Sequence, residues 1–311
     1  MEQIVKKIKW LYAAVLVVSC FPLTLGYLMH TGEVQVWAQK ITNSILYKMI
    51  GSVVLWHLCI VLLIQLVTFT GMFFLMKTTY EDEVAHLMGV TLYMTCPYRL
   101  FVIYQQVDMK QAVALALLPW FVWSFRKIKR KWAEVFSVPM GAIFSVFVFL
   151  LLSARDGVTM QNIVTKGYVL ADFLTMWKFS DRPGLGLGLM LGSVVLLWVL
   201  VVAEGKMSKE RKLLLCSVLV LGFMATRYFP WEMVQRVSGL FLQWVSLLGS
   251  PAIFWGIACF ILSFLIPWVV EELSKEEKKE LAKGSWIIIW LGAMAGAVYF
   301  CNTLTFYTPG I

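Results

Sequence analysis

Residues 48–76 read Lys48-Met-Ile-Gly-Ser-Val-Val-Leu-Trp-His57-Leu-Cys-Ile-Val-Leu-Leu-Ile-Gln-Leu-Val-Thr-Phe-Thr-Gly-Met-Phe-Phe-Leu-Met76. After Lys48 no charged side chain occurs in the stretch. A hydrocarbon core about 30 Å thick is crossed by about 20 apolar residues in a helix. This segment exceeds that length, so it predicts a tilted span, or one that begins as an interfacial helix. Helix is the required form, because lipid offers no partner for backbone N–H and C=O groups.

The pattern recurs on both sides of this stretch. Spans are predicted at 10–29, 48–76, 84–104, 110–125, 133–154, 185–204, 212–226, 252–270 and 286–304. Pro97 and Pro119 interrupt the third and fourth, a break tolerated where backbone packs on protein or lines a cavity. Composition agrees: 60% of the 311 residues are hydrophobic and 14% charged, too little polar surface for a soluble fold. The expected fold class is all-α. It is a polytopic transmembrane helical bundle of about nine spans, forming one integral membrane domain over residues 1–311 with amphipathic interfacial helices on its outer face.

Basic residues set the expected orientation. With the N-terminus inside, segments 1–9, 77–83, 126–134, 204–212 and 271–285 hold 17 of the 27 Lys and Arg residues. Arg126, Lys127, Lys129, Arg130 and Lys131 form the densest cluster. The net charge of +9 is thus a topology signal, with some attraction to anionic headgroups. Basic residues do not alternate with aromatics on a polar surface, so nucleic acid is not an expected partner. The apolar run after Trp10 reads as an uncleaved first span, because Ser19-Cys20-Phe21-Pro22 is a poor cleavage site. The C-terminus falls outside.

Six cysteines at 20, 59, 96, 216, 259 and 301 all fall within spans, none in C-x-x-C spacing, and read as small hydrophobes. His57, inside the second span, reads as a helix–helix hydrogen-bonding residue, with a proton role as the alternative. Trp10, Trp37, Trp120, Trp132, Trp231, Trp268 and Trp286 are expected to form interfacial belts. Gly184, Gly186, Gly188 and Gly192, with Gly292 and Gly296, predict close helix packing rather than a dinucleotide site, since no strand precedes them.

Two outer segments exceed simple turns. Residues 155–184 carry Ile163, Val164, Leu170, Phe173, Leu174 and Trp177 at helical spacing, and 227–250 opens with Arg227-Tyr-Phe-Pro-Trp231-Glu-Met-Val-Gln-Arg236. Both predict amphipathic surface helices, with Pro230 opening the second. The outer acids are Glu33, Asp108, Asp156, Asp172, Asp181 and Glu232, so any external base or metal ligand comes from these. The outer bases include Arg99, Lys110, Arg155, Lys166, Lys178, Arg182, Arg227 and Arg236. An arginine there can hold a lipid phosphate bidentately or simply snorkel. Arg99, close behind Pro97 at a span end, demands a partner: an outer carboxylate or a lipid phosphate.

Residues 93–120 carry more than periodicity. Leu92-Tyr93, Pro97-Tyr98-Arg99-Leu100, Tyr104 and Leu118-Pro119 stand in the order and spacing of a segment in large bacterial YfhO-like membrane proteins of the GT-C superfold. That group is also described as 6-pyruvoyl-tetrahydropterin-synthase-related. Phe229-Pro230-Trp231-Glu232 resembles the family's external Phe-Pro-Trp-acid motif, and Asp156-Gly157 through Gly192 resembles its long outer loop and glycine-rich span. The likeness covers roughly residues 45–265. It implies a glycosyltransferase-like envelope protein of the bacterial plasma membrane, using a polyprenyl-phosphate sugar donor. A carboxylate would take the acceptor proton while cations hold the leaving phosphate.

Carried onto this chain, the resemblance nominates Glu33 and Asp108 as catalytic acids. It nominates Tyr98, Arg99, Tyr104, Asp156, Arg182, Arg227, Trp231, Glu232 and Arg236 as substrate-binding. No cofactor is implied, and a divalent metal is not indicated. Expected partners are membrane lipids, a polyprenyl-phosphate-linked sugar and a membrane protein. The chain departs from the pattern in a short first outer loop with only His30, Glu33 and Lys40 of comparable type. It departs again in Gln105-Gln-Val-Asp108-Met-Lys-Gln111 after Tyr104, and in Leu248-Gly-Ser-Pro251 at the later motif. Two other readings stand beside it: a non-enzymatic scaffold or subunit, and a small transporter or lipid flippase. Scarce intramembrane charge and no visible internal repeat count against the last.

Overall fold

The computed structural model describes residues 2–20, 53–104, 109–128, 167–169, 172–173, 184–202, 208–237, 251–275 and 279–306. Among these the chain is helical. The helices are α1 Glu2–Cys20, α2 Val53–Thr79, α3 Glu83–Met94, α4 Pro97–Tyr104, α5 Met109–Ile128, α6 Gly186–Val202, α7 Lys209–Met224, α8 Trp231–Val237, α9 Ala252–Lys275 and α10 Lys279–Phe306. The described parts of the predicted spans are helical apart from the break at Thr95–Cys96 and the end residues Leu185, Ala225 and Thr226. The 133–154 span lies outside the described residues.

α3 and α9 sit at the centre. Asp82 caps α3, its carboxylate accepting from Val84 N at 3.0 Å, and every residue from Ala85 to Met94 is buried. α9 packs on α3, α6, α7 and α10. On the other flank α2 packs on α3 and α5. Cys59–Thr79 and Ala252–Val269 are each long and apolar enough to cross a membrane; α3 and α4, joined at a 42° bend, make a third if counted as one broken span. The bend falls where Pro97, lacking an N–H, begins a new helix.

Helices α5 and α9 run through prolines, and in α5 a side chain from another element answers for it. Pro119 cannot donate to the carbonyl four residues back, which is Leu115. The Tyr93 hydroxyl donates to that carbonyl at 2.6 Å. In α9, just before Pro267, the Phe264 carbonyl accepts from the Tyr80 hydroxyl. Trp120 lies over Gly71, where a Cβ would meet its ring at 2.4 Å, and its indole donates to Val67 O at 2.8 Å. The bond to Leu115 meets a carbonyl that Pro119 leaves without its helical donor in an apolar surround, whereas the bonds to Phe264 and Val67 add a second donor to mid-helix carbonyls and tie neighbouring elements together.

The glycine-rich stretch does what its composition suggests. At Gly188 a Cβ would lie 2.5 Å from the Ala293 backbone, and at Gly292 it would lie 2.8 Å from Leu191. α6 and α10 therefore approach backbone to backbone. Gly186, at φ 71°, takes the left-handed conformation that opens α6. The outward faces stay apolar: Val194, Leu197 and Trp198 on α6, Leu213, Leu219 and Phe223 on α7, and Ile288 and Leu291 on α10 are all exposed. Water does not favour such a surface over several helices; lipid does. Two expected belt residues are not on the surface. Trp231 and Trp268 are each 1% exposed, core pieces of the bundle.

Candidate functional site

α4 brings together the residues that the motif singled out. Tyr98, Arg99 and Tyr104 are all buried. The Tyr98 ring lies against Gly256 in the first turn of α9, where a Cβ would meet it at 2.3 Å, and its hydroxyl accepts from Gln111 Nε2 at 2.8 Å. Arg99, two residues past Pro97 at the break, is 1% exposed.

The guanidinium of Arg99 meets uncharged groups. One terminal nitrogen donates to Gln65 Oε1 on α2. The other donates to the Met94 carbonyl at 3.2 Å and reaches Met94 Sδ at 3.5 Å. The Tyr93 ring stands 5.6 Å from the guanidinium carbon, a cation–π contact in an apolar surround. Its Nε–H has no acceptor among the described residues. The expected carboxylate or lipid phosphate is replaced there by a carboxamide, a carbonyl and a ring. The carboxamide continues the chain of bonds. Gln65 Nε2 donates to the Ser19 carbonyl of α1 at 2.9 Å and to the Tyr104 hydroxyl at 3.3 Å. That hydroxyl donates to the same Ser19 carbonyl at 2.7 Å.

A second constellation gathers at the start of α9, beside Tyr98. Tyr168 and Thr226 form an isolated parallel bridge, with Tyr168 N donating to Ala225 O at 2.9 Å and Arg227 N to Tyr168 O at 3.0 Å. At Tyr168, within the stretch expected to form an amphipathic helix, the backbone is extended and paired; the rest of that stretch, apart from Gly167, Val169, Asp172 and Phe173, lies outside the described residues. Gly167 permits the pairing, since a Cβ would fall 2.4 Å from Arg227 N. Asp172 is buried and turned inward, accepting from Val169 N at 2.8 Å. Phe173 stacks on Tyr168 at 5.2 Å and packs on Trp255 at 4.3 Å. Trp231 packs on Phe229 at 4.5 Å and Phe254 at 6.0 Å. Pro230 opens α8 as expected, its carbonyl accepting from Val234 N at 3.1 Å.

Around this aromatic seam the charges face outward. Arg227 is exposed, its guanidinium 5.3 Å from the Tyr228 ring. Glu232 and Arg236 are exposed in the first and last turns of α8, where each complements the helix dipole. A crevice of about 10 Å³ between Leu92, Thr95, Pro97, Gly186, Ala293 and Gly296 has room for a water molecule and no more.

Of the nominated residues, then, Tyr98, Arg99 and Tyr104 share α4, and Arg227, Trp231, Glu232 and Arg236 share the seam. Trp231 is an anchor, not a contact surface. Glu33, Asp108, Asp156 and Arg182 lie outside the described residues. Among those described, no group of three or more His, Cys, Asp and Glu could hold a metal ion. Gln65, Tyr168 and Trp255 went unread in the sequence, and Ser19 and Phe173 were read only as part of a poor cleavage site and as an apolar helix position. A glutamine in the middle of an apolar span was the available signal, because a polar side chain there turns toward the bundle. No family model, curated protein or solved structure matches the chain.

Proposed function

We propose that the chain is a GT-C-like integral membrane protein of about nine spans in the bacterial plasma membrane, serving cell-envelope glycan or lipid-linked sugar metabolism. Its N-terminus is cytoplasmic and its C-terminus extracytoplasmic. The observation that carries the reading is the seam at the start of α9. There the two long outer segments meet through the bond from Arg227 N to Tyr168 O, beside the α4 motif and under exposed Arg227 and Arg236. A rigid aromatic mount with arginines at its rim suits a lipid-borne phosphate, which guanidinium groups grip in bidentate fashion. Glu33 or Asp108 would then supply the general base.

The test is consumption of polyprenyl-phosphate-linked sugars by purified protein. Turnover by the wild type, with loss of about 10²–10⁴-fold in Glu33→Gln or Asp108→Asn, is the expected result for a transferase. Turnover that both variants retain in full moves the base elsewhere.

A second reading has its own support. Tyr98, Arg99 and Tyr104 direct their polar atoms to Gln111, Gln65, Met94 and Ser19. The most family-like segment thus serves as internal framework, which suits a non-enzymatic scaffold or subunit of an envelope complex. Wild-type protein that consumes no donor, yet co-purifies from cross-linked membranes in stoichiometric amount with one membrane protein, favours this reading.

A further inference from the structure

We propose that the buried thiols of Cys96 and Cys259 form a two-coordinate site for a soft monovalent cation, the class of copper(I), with Arg99 as its counter-charge. Cys96 lies in the break between α3 and α4, immediately before Pro97. It holds the cap position of α4, and its sulfur accepts from the backbone N–H groups of Tyr98 and Arg99 in the first turn. Cys259 lies in α9, three residues past Gly256, whose missing Cβ admits the Tyr98 ring. The break and α9 meet closely there, and a hydrogen bond joins the two sulfurs. Cys96 is 1% exposed and Cys259 not at all. The Tyr93 ring stands beside both sulfurs and packs edge-on against Phe260 at 5.2 Å, so the surround is apolar.

Charge selects the ion. The ionisable groups acting on the Arg99 guanidinium are Tyr93, Tyr104, Cys96 and Cys20, with no carboxylate among the described residues, and its Nε–H has no acceptor there. A cation so deeply buried calls for an anion. Metal ligation supplies one. Each cysteine binds as thiolate and releases its proton, so a monovalent ion on two thiolates carries a single negative charge, which the guanidinium balances. A divalent ion on the same pair would be neutral and leave Arg99 uncompensated. Ligand number agrees: structural zinc takes four ligands and calcium six or more, whereas copper(I), which thiolates select, is held by two. Spacing separates the ion from a disulfide. A disulfide needs its sulfurs at about 2.05 Å, so the break and α9 would have to close up. An ion between them holds the sulfurs about 4–5 Å apart, twice a metal–thiolate bond of about 2.3 Å, a separation that hydrogen-bonded thiols already approach. In the copper-free protein both thiols keep their protons.

The experiment begins by replacing Cys20, Cys59, Cys216 and Cys301 with alanine, which leaves the pair alone. This full-length protein is produced in cells supplied with copper and purified without oxygen. One copper per protein is expected, with the X-ray absorption edge of copper(I) and two sulfur neighbours. A further Cys96→Ser or Cys259→Ser should remove it. Arg99→Leu keeps both ligands and loses the counter-charge, so in competition with bathocuproine disulfonate it should hold copper about 10–100-fold more weakly, the usual effect of a group behind the ligands. If the four replacements prevent folding, the same count on wild type and on Cys259→Ser should differ by one copper. Folded protein without copper overturns the proposal. So does copper that survives loss of both cysteines, or a Cys96–Cys259 disulfide found by peptide mass spectrometry in protein from the same cells. Folded Arg99→Leu that holds copper as tightly as its parent overturns the part given to Arg99.

Discussion

Arg99 sits at 1% exposure with a carboxamide where a carboxylate is usual. A carboxamide neutralises nothing, but it presents a strong dipole at hydrogen-bond range and avoids desolvating a second ion. Removing the two partners should therefore have unequal effects. Gln65→Leu leaves a buried cation with less to hold it, and breaking a buried charged contact costs about 3–5 kcal/mol. Arg99→Met leaves only neutral groups unmet, a cost of about 1–3 kcal/mol. The double variant should cost less than the sum, because it removes both groups at once. Thermal melting of the four proteins in one detergent checks this, and strict additivity would sink the pairing. At this scale the sequence was half legible. Pro97-Tyr98-Arg99 stood out because a proline and an arginine together at a span end are rare and costly. Gln65 did not, because nothing in one apolar run says which of its faces will meet an arginine 34 residues later.

Elements in this fold are completed by one another. α5 would have a hole at Leu115 if read alone, since Pro119 withdraws the donor, and Tyr93 of α3 fills it. Tyr93→Phe should cost about 1–3 kcal/mol by leaving that carbonyl unmet. Pro119→Ala restores the helix's own donor, so Tyr93→Phe in that background should cost much less. The readout is again melting temperature, with hydrogen exchange at the 115–121 amides as the local check. An equal cost in both backgrounds would show that the hydroxyl does something other than stand in for the missing N–H. The sequence predicted a break at Pro119, and the helix runs on through it. Local rules saw the lost hydrogen bond but not the tyrosine from another helix that makes it good. The same limit explains Tyr168. Apolar spacing suggested a helix, whereas Tyr168 bridges to Thr226 through bonds with Ala225 and Arg227 across the fold. Spacing reports periodicity within a segment and is blind to a backbone approach from elsewhere.

For the whole molecule, the exposed apolar faces of α6, α7 and α10 and the basic residues between the spans bear on one question, which side each loop occupies. The faces need lipid around them. Loop charge then decides orientation, since Lys and Arg are retained on the cytoplasmic side. That expectation comes from composition, because it depends on what each segment is and not on what it touches. The aromatic belts were legible only in part. A tryptophan near a span end is also a good core residue, and Trp231 and Trp268 went to the core. Single cysteines at Lys129 and Lys166, introduced with the native cysteines replaced, should therefore label from opposite sides of sealed membranes. Lys129 should react only after a permeant reagent or lysis, and Lys166 from outside. The pair is diagnostic because one predicted span, 133–154, separates the two loops, and because the 126–131 cluster carries five of the basic residues. If the 110–125 segment turned back without crossing, every later loop would flip, and the positive clusters at 204–212 and 271–285 would face outward. A third cysteine at Lys278 tests that outcome directly. Labelling of Lys129 and Lys278 from the inside, with Lys166 outside, is the pattern that nine crossings require. Labelling of Lys129 and Lys166 from the same side would end the nine-span architecture and the orientation of the seam with it.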